Sequence, residues 1–409
     1  MATTVYDPFD ADFQVDPYPA YQALRDAGPV HLHIGEPEFY ALPRFADVWQ
    51  AARDPATFSS AHGLTFYPDE IATLGLAPTI VMLDPPRHTA LRRRISHGFT
   101  PKRIVAMEPL IREFVRGRVD AIERRVADGE PVDLHRDFSS PIPTFVLAHL
   151  LGVPPADRAK FDPWVTALTR LQDGGFSLDA LQADGAVQAV GEMFAYFGDL
   201  ITVRRGSPGD DLISALTGAE VDGERLTDWD ILGFCFVMVA GGNDTTGNLI
   251  SHGVALLDEY PDQRARLLAE PELLPGAILE FLRMEGSVQA LARTTTRAVA
   301  IGDTEIPAGR KVMLMYGSAN RDEREFGDTA DRLDIAREIS RHLGFAGGPH
   351  LCIGSHLARL QARIAFEELL WRQPAIGVDT AAAARLPSAF TRGWTALPAT
   401  GIRPTRVSV

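Results

Sequence analysis

The run ILGFCFVMVA at 231–240 is apolar on every side of a helical wheel. A helix without a polar face has to be buried all round. This one is too short to cross a bilayer before Gly241, Gly242, Asn243 and Asp244 interrupt it. It therefore predicts a helix at the centre of a large core that runs straight into a polar, glycine-rich patch. Such a conflict between local rules marks a functional site. At 409 residues the chain is long enough to bury that core and a large bound group within it.

The rest of the chain reads as helices punctuated by Pro and Gly, with no internal repeat or linker. In IVAMEPLIREFVRGRVDAIERRVADG, at 104–129, apolar residues recur every three or four positions and Gly129 is a stop signal. The segment VAIGDTEIPAGRKVMLMYG at 299–317 reads as short strands and turns. Similar runs lie near 30–42 and in the last twenty residues. The expected fold class is mainly α with small β-sheets, in one domain over 1–409, without membrane anchor or fused reductase.

Forty basic against 54 acidic residues leave a net charge of −14, which argues against nucleic acid and anionic membrane as partners. The N-terminus MATTVYDPFDADF carries no secretory pattern, so a cytoplasmic location is expected. The two cysteines, Cys235 and Cys352, exclude a disulfide framework and any zinc or iron–sulfur site built from cysteines alone. Cys235, inside the apolar run, reads as core.

Cys352 is different. In HLGFAGGPHLCIGSHLARLQARIAFEELL, at 342–370, it follows a glycine-rich turn and precedes a helical pattern carried by Leu357, Leu360, Ile364 and Leu369. Free N–H groups and the dipole at a helix N-terminus favour a thiolate. Glycines let the backbone lie close against a planar ligand. A buried structural cysteine and a nucleophile paired with His350 are the other readings of these residues alone.

The spacing of Phe345, Gly348, His350, Cys352 and Gly354 resembles the haem loop of the cytochrome P450 family at every fixed position. Ala346 departs from it, where the family more often has Gly or Ser. The segment GGNDTT at 241–246 resembles the family's oxygen-activation motif, with Asp244 and Thr245 as its acid–alcohol pair. Splitting an O–O bond needs protons delivered into an apolar pocket. A mid-helix Thr that bonds a preceding carbonyl opens the helix to water, and Asp244 can relay protons. Gly241 and Gly242 are expected to leave space over the haem. Glu280 and Arg283, three apart on one helical face, resemble the family's buried E-x-x-R pair, with Arg332 in DRLDIAR as the third member of a scaffold. His88 and Arg92 in HTALRRR, Arg293 in LARTTT, and His350 resemble its contacts to the haem propionates.

The resemblance runs from about residue 15 to the C-terminus and is greatest to soluble bacterial members. It implies a triangular, single-domain fold, haem b ligated by Cys352, and O2 as co-substrate. Electrons would come from NAD(P)H through a ferredoxin and its reductase, and Arg93, Arg94, Lys102, Arg103, Arg359 and Arg363 would bracket the docking face. The implied function is oxygen insertion into an apolar, medium-to-large organic substrate: a lipid, terpenoid, steroid or polyketide. Leu64, Phe66, Ile71, Leu76, Phe176, Met193, Phe234, Val237, Val288, Leu291 and Phe390 fall in segments that line the family's pocket. Two other functions compete. A peroxygenase of the same fold would lack the acid–alcohol pair that this chain retains. A cysteine hydrolase using Cys352 and His350 leaves every other motif unexplained.

Overall fold

The computed structural model describes residues 6–67, 78–161, 163–165, 167, 186–221 and 223–404. Helices dominate, and the sheets are small, as the punctuation of the sequence predicts. The principal helices for the site are α1 (Phe45–Ala51), α2 (Arg87–Ile95), α3 (Glu108–Ala127) and α4 (Pro141–Leu150). They are followed by α5 (Asp228–Gly242), α6 (Asp244–Glu259), α7 (Leu274–Met284) and α8 (Ser355–Leu370).

The expected helix over 104–129 forms in two pieces. Pro101–Ala106 ends at Met107, and α3 begins with Pro109 inside its first turn. Proline has no N–H to continue the ladder, so the chain restarts there. Ile111, Val115, Val119 and Ile122 then form the buried stripe of α3, which packs against α8. Gly129 closes the segment at φ 78°, a left-handed stop.

The apolar run forms α5, started by a capping box in which Thr227 and Asp230 exchange hydrogen bonds. Its burial is not uniform. Ile231, Phe234, Cys235, Met238 and Val239 are core, whereas Leu232, Phe236, Val237 and Ala240 are half-buried and Gly241 is exposed. Helix α6 continues past a break at Asn243 and is sandwiched between α7 and α8. The crossing depends on Gly253, where a Cβ would lie 2.4 Å from Phe366 and 2.7 Å from Phe281. Both rings are fully buried, and only a hydrogen at that position lets the helices approach this closely.

Strands β1 (His31–His33), β2 (Phe39–Leu42), β3 (Phe58–Ser59), β4 (Leu291–Thr295) and β5 (Lys311–Leu314) form one sheet in the order β1-β2-β5-β4-β3. The β2–β5 pair is parallel, with Tyr40 opposite Val312; β4 runs antiparallel to β5, with Arg293 opposite Val312. Strand β4 thereby holds Arg293 near the haem-loop residues. Among the described residues no helix is long and apolar enough to cross a membrane.

Candidate haem-thiolate site

Cys352 lies between the turn at 348–350 and the start of α8. Its N–H donates to the Phe345 carbonyl at 3.0 Å, and Leu351 N–H donates to Gly348 at 3.1 Å. Gly348 has φ 63°, and a Cβ there would lie 2.2 Å from the Ala52 carbonyl of the residue after α1. No other residue type fits. Ala346 also has positive φ, at 57°, and is the only non-glycine residue described in that region of backbone space. The family's Gly at this position therefore has a local conformational reason.

The Cys352 residue is accessible, yet many protein atoms surround its sulfur. Burial pushes the thiol up from its ordinary value, while the N–H groups of Gly354 and Ser355 and the charge of Arg92 pull it down. The expected helix-terminus effect is present but does not outweigh burial. A metal cation at the sulfur would complete the stabilisation of the thiolate.

Four basic side chains expected around one ligand do converge. The rings of His88 and His350 are 4.2 Å apart, and His350 Nε2 lies 3.2 Å from Ser60 Oγ. An Arg92 guanidinium N–H donates to the Leu351 carbonyl, next to the cysteine. Burial, then Arg293, His88 and Arg92, push His350 down to about 3; burial and then Arg92 lower His88. His88 and Arg293 are buried, and the Nδ1 of His88 has no hydrogen-bond partner. Among the described residues none of the four forms an ion pair. The buried guanidinium of Arg293, in no ion pair among the described residues, is costly unless an anion joins it. A haem bearing two carboxylates beside a thiolate-ligated iron fits this donor set. The cysteine-hydrolase alternative does not fit, because His350 engages Ser60 and His88 and makes no described hydrogen bond to Cys352.

Asp244 and Thr245 follow the helix break. Asn243 has ψ −68°, and the Thr245 hydroxyl donates to the Gly241 carbonyl at 2.7 Å. This is the back-bonding that the motif predicts. A Cβ at Gly241 would meet nothing within 4 Å, so that position is open. Gly242 differs from expectation: its Cβ would lie 3.3 Å from Leu147 of α4, so it serves helix packing.

Glu280 and Arg283 are both fully buried and paired at 2.6 and 2.8 Å. The third member is not the Arg332 side chain. Arg332 is exposed and offers only its backbone carbonyl, 3.2 Å from Arg283. Arg337 takes the role, with its Nε 3.2 Å from Glu280 Oε1. The turn at 329–334 points the Arg332 side chain to solvent and brings Arg337 back over the carboxylate.

Of the expected pocket residues, Leu64, Val237, Val288, Leu291 and Phe390 are half-buried. Phe66, Met193 and Phe234 are core; Phe66 is covered by Phe390, with ring centroids 4.5 Å apart. Ile71, Leu76 and Phe176 lie outside the described residues. Three participants were not legible in the motifs. Ser60 meets His350. Ser287 Oγ donates to the Thr245 carbonyl at 2.9 Å, and Asn248 Nδ2 donates to Asp244 Oδ2 at 3.1 Å. Only Asn248 had a sequence signal, a polar residue one helical turn after Asp244.

Comparison with known proteins agrees with this geometry. The family model described as Cytochrome P450 matches residues 186–372. Cytochrome P450 130 of Mycobacterium tuberculosis is 47% identical over 370 residues, covering 88% of each chain. The methyl-branched lipid omega-hydroxylase of Mycobacterium bovis is 36% identical, over 93% of this chain and 90% of that one. The structure of a Mycobacterium marinum cytochrome P450 in complex with pseudoionone is similar with a TM-score of 0.86 at 33% identity. It covers 98% of this chain and 100% of that one.

Proposed function

The chain belongs to the cytochrome P450 family of haem-thiolate monooxygenases, and from that premise we propose that it oxygenates a branched, apolar lipid or terpenoid. The net reaction is RH + O2 + 2 H+ + 2 e− → ROH + H2O, with electrons from NAD(P)H through a ferredoxin and its reductase. Haem b, when bound, supplies the iron at which O2 is activated. Cys352 would be its ligand, and a thiolate there would supply electron density that favours O–O cleavage. His88, Arg92, Arg293 and His350 would hold the propionates, with Phe345 and Gly354 shaping the loop. The observation that carries this assignment is the convergence of those four basic side chains, none of them in an ion pair among the described residues, on the loop of one accessible cysteine.

Thr245 and Asp244 manage protons. Because the Thr245 hydroxyl donates to Gly241, its oxygen is left as an acceptor toward the open position above Gly241. Asp244, held by Asn248, stands next in line as the proton reservoir. Val237, Val288, Leu291 and Phe390, half-buried apolar side chains, would suit an apolar guest. Glu280, Arg283 and Arg337 are scaffold. The substrate class is supported by these side chains, by the lipid hydroxylase among the relatives and by the pseudoionone of the similar structure.

The CO adduct of the reduced protein tests the ligand: it should absorb at the longer wavelength typical of thiolate ligation, and Cys352→His should abolish that band. A thiolate-type spectrum in the variant would exclude Cys352. Titration with methyl-branched fatty acids and acyclic terpenoid ketones, read as loss of the axial water, tests the substrate class. Absence of any spectral shift across both sets would exclude it.

A further inference from the structure

We propose that the C-terminal turn at 390–394 is a positioning element for Asp244 and Thr245, acting through Ser287 and Asn248. The inference rests on the proton-delivery reading of that pair. Both residues follow the break at Asn243, where the helical hydrogen-bond ladder is interrupted, so the helix alone does not fix them. Two clamps replace it. Ser287 Oγ donates to the Thr245 carbonyl at 2.9 Å, and the Ser287 carbonyl accepts from Arg392 N–H at 2.7 Å. Asn248 Nδ2 donates to Asp244 Oδ2 at 3.1 Å, and Asn248 Oδ1 accepts from Trp394 N–H at 3.2 Å. Asn248 is 1% exposed, and only one orientation of its amide satisfies both partners.

The two anchoring amides are two residues apart on one extended segment. Gly393 lies between them and against the Asn248 amide: a Cβ there would be 2.5 Å from Nδ2 and 2.8 Å from Oδ1. The turn itself is pinned, since Arg392 Nε bonds Glu285 Oε2 at 2.7 Å and the Phe390 carbonyl accepts from Gln289 N–H at 2.8 Å. One short segment thus holds the backbone of the alcohol and the side chain of the acid together.

Ser287→Ala removes one clamp, and Gly393→Ala displaces the other by pushing a flexible amide aside. In the purified holoenzyme, each should leave the substrate dissociation constant within about twofold while raising the fraction of electrons lost to H2O2 about threefold or more. Amide hydrogen exchange over 244–248 should accelerate by about tenfold, the equivalent of one net hydrogen bond. Ser287→Thr should restore both readouts. Wild-type coupling and wild-type exchange in Ser287→Ala and Gly393→Ala would overturn the inference. Thr245→Ala is the control that separates the two ideas. If it fails to raise H2O2, the proton-delivery reading fails, and exchange alone still decides whether the turn positions the pair.

Discussion

Arg337 places its Nε 3.2 Å from Glu280 Oε1, so two arginines share one fully buried carboxylate. Arg283 holds both oxygens and also donates to the carbonyls of Asn320 and Ala330 at 2.8 and 2.6 Å. The cluster therefore ties α7 to the long segment that leads into the cysteine loop. Removing the anion would strand Arg283 in the core, and breaking such a pair costs about 3–5 kcal/mol. Glu280→Ala should reduce both denaturation midpoint and haem content. Arg337→Ala should cost about 1–3 kcal/mol, the range for a charged hydrogen bond. Arg332→Ala, which keeps its carbonyl, should stay within about 0.5 kcal/mol of wild type. Urea denaturation of the three variants decides between the two arginines, and a larger loss in Arg332→Ala than in Arg337→Ala would reverse the assignment.

Ala346 offers a test of opposite sign. A left-handed backbone costs an L-residue roughly 1–2 kcal/mol. Glycine relieves that strain but adds about 0.4–1 kcal/mol of unfolded-state entropy. Ala346→Gly should therefore stabilise the protein modestly, by about 0.5–1 kcal/mol. Gly348→Ala, which would drive a Cβ to 2.2 Å from the Ala52 carbonyl, should destabilise it and loosen haem. Denaturant midpoints of the two variants should move in opposite directions; a loss of stability in Ala346→Gly would count against local strain.

These two alanine and glycine positions also show what a sequence makes legible. The cysteine loop is readable because its chemistry is local: a turn, a ligand and a helix start within ten residues. The buried character of α5 is readable for the same reason, since it follows from ten adjacent side chains. Residues 327–343 have no periodicity, so nothing local says whether Arg332 or Arg337 turns inward. The long-range contacts of Ser287 and Asn248 are illegible for a related reason. Their partners come from segments 42 and 146 residues away, and polar contacts over such separations leave no mark on hydropathy.

Two buried histidines set an acid limit on the fold. Burial lowers His135 to about 4 and His252 to about 3. His252 Nδ1 lies 2.8 Å from the Glu285 carbonyl, so the neutral ring donates there. The unfolded chain takes up a proton near pH 6.5 while the native chain refuses it. Stability is therefore lost as pH falls from about 6.5, with a slope approaching 1.4 kcal/mol per pH unit per histidine. Glu285 adds a second phase. Burial alone would raise it, but Arg392, Arg385, His252 and Arg321 hold it well below the usual carboxylate range. Its contribution is present above about pH 4.3 and is lost below. Denaturation midpoints between pH 7 and 4 should fall, and His252→Gln should flatten that fall by one histidine's share. An unchanged slope would mean His252 takes up its proton in the native state.

The basic face expected for a ferredoxin is narrower than the sequence implies. Arg92 donates to the Leu351 carbonyl and Arg94 is half-buried, while Arg93 and Lys102 are exposed. Arg103 is paired with the exposed Asp210 at 2.7 Å, and Arg363 bridges Glu108 and Glu367 at 2.6 and 2.8 Å. Arg359 bonds His356 Nδ1 at 2.8 Å and faces no acid in that contact. The charges left for an acidic partner are therefore Arg93, Lys102 and Arg359, and Leu351, which precedes the cysteine, is exposed as well. Complementary charge mainly raises the association rate, and it is screened over a Debye length of about 10 Å at 0.1 M salt. Arg93→Glu and Lys102→Glu should slow the first electron transfer by about tenfold at low salt, without changing substrate binding. Arg103→Glu should have a smaller effect, because Asp210 already neutralises that site. Arg363→Glu should instead lower stability, since it would set three carboxylates against one another. Stopped-flow reduction by a cognate ferredoxin at several salt concentrations measures these rates. If Arg93→Glu reduces as fast as wild type and the wild-type rate is flat with salt, the partner docks without this face.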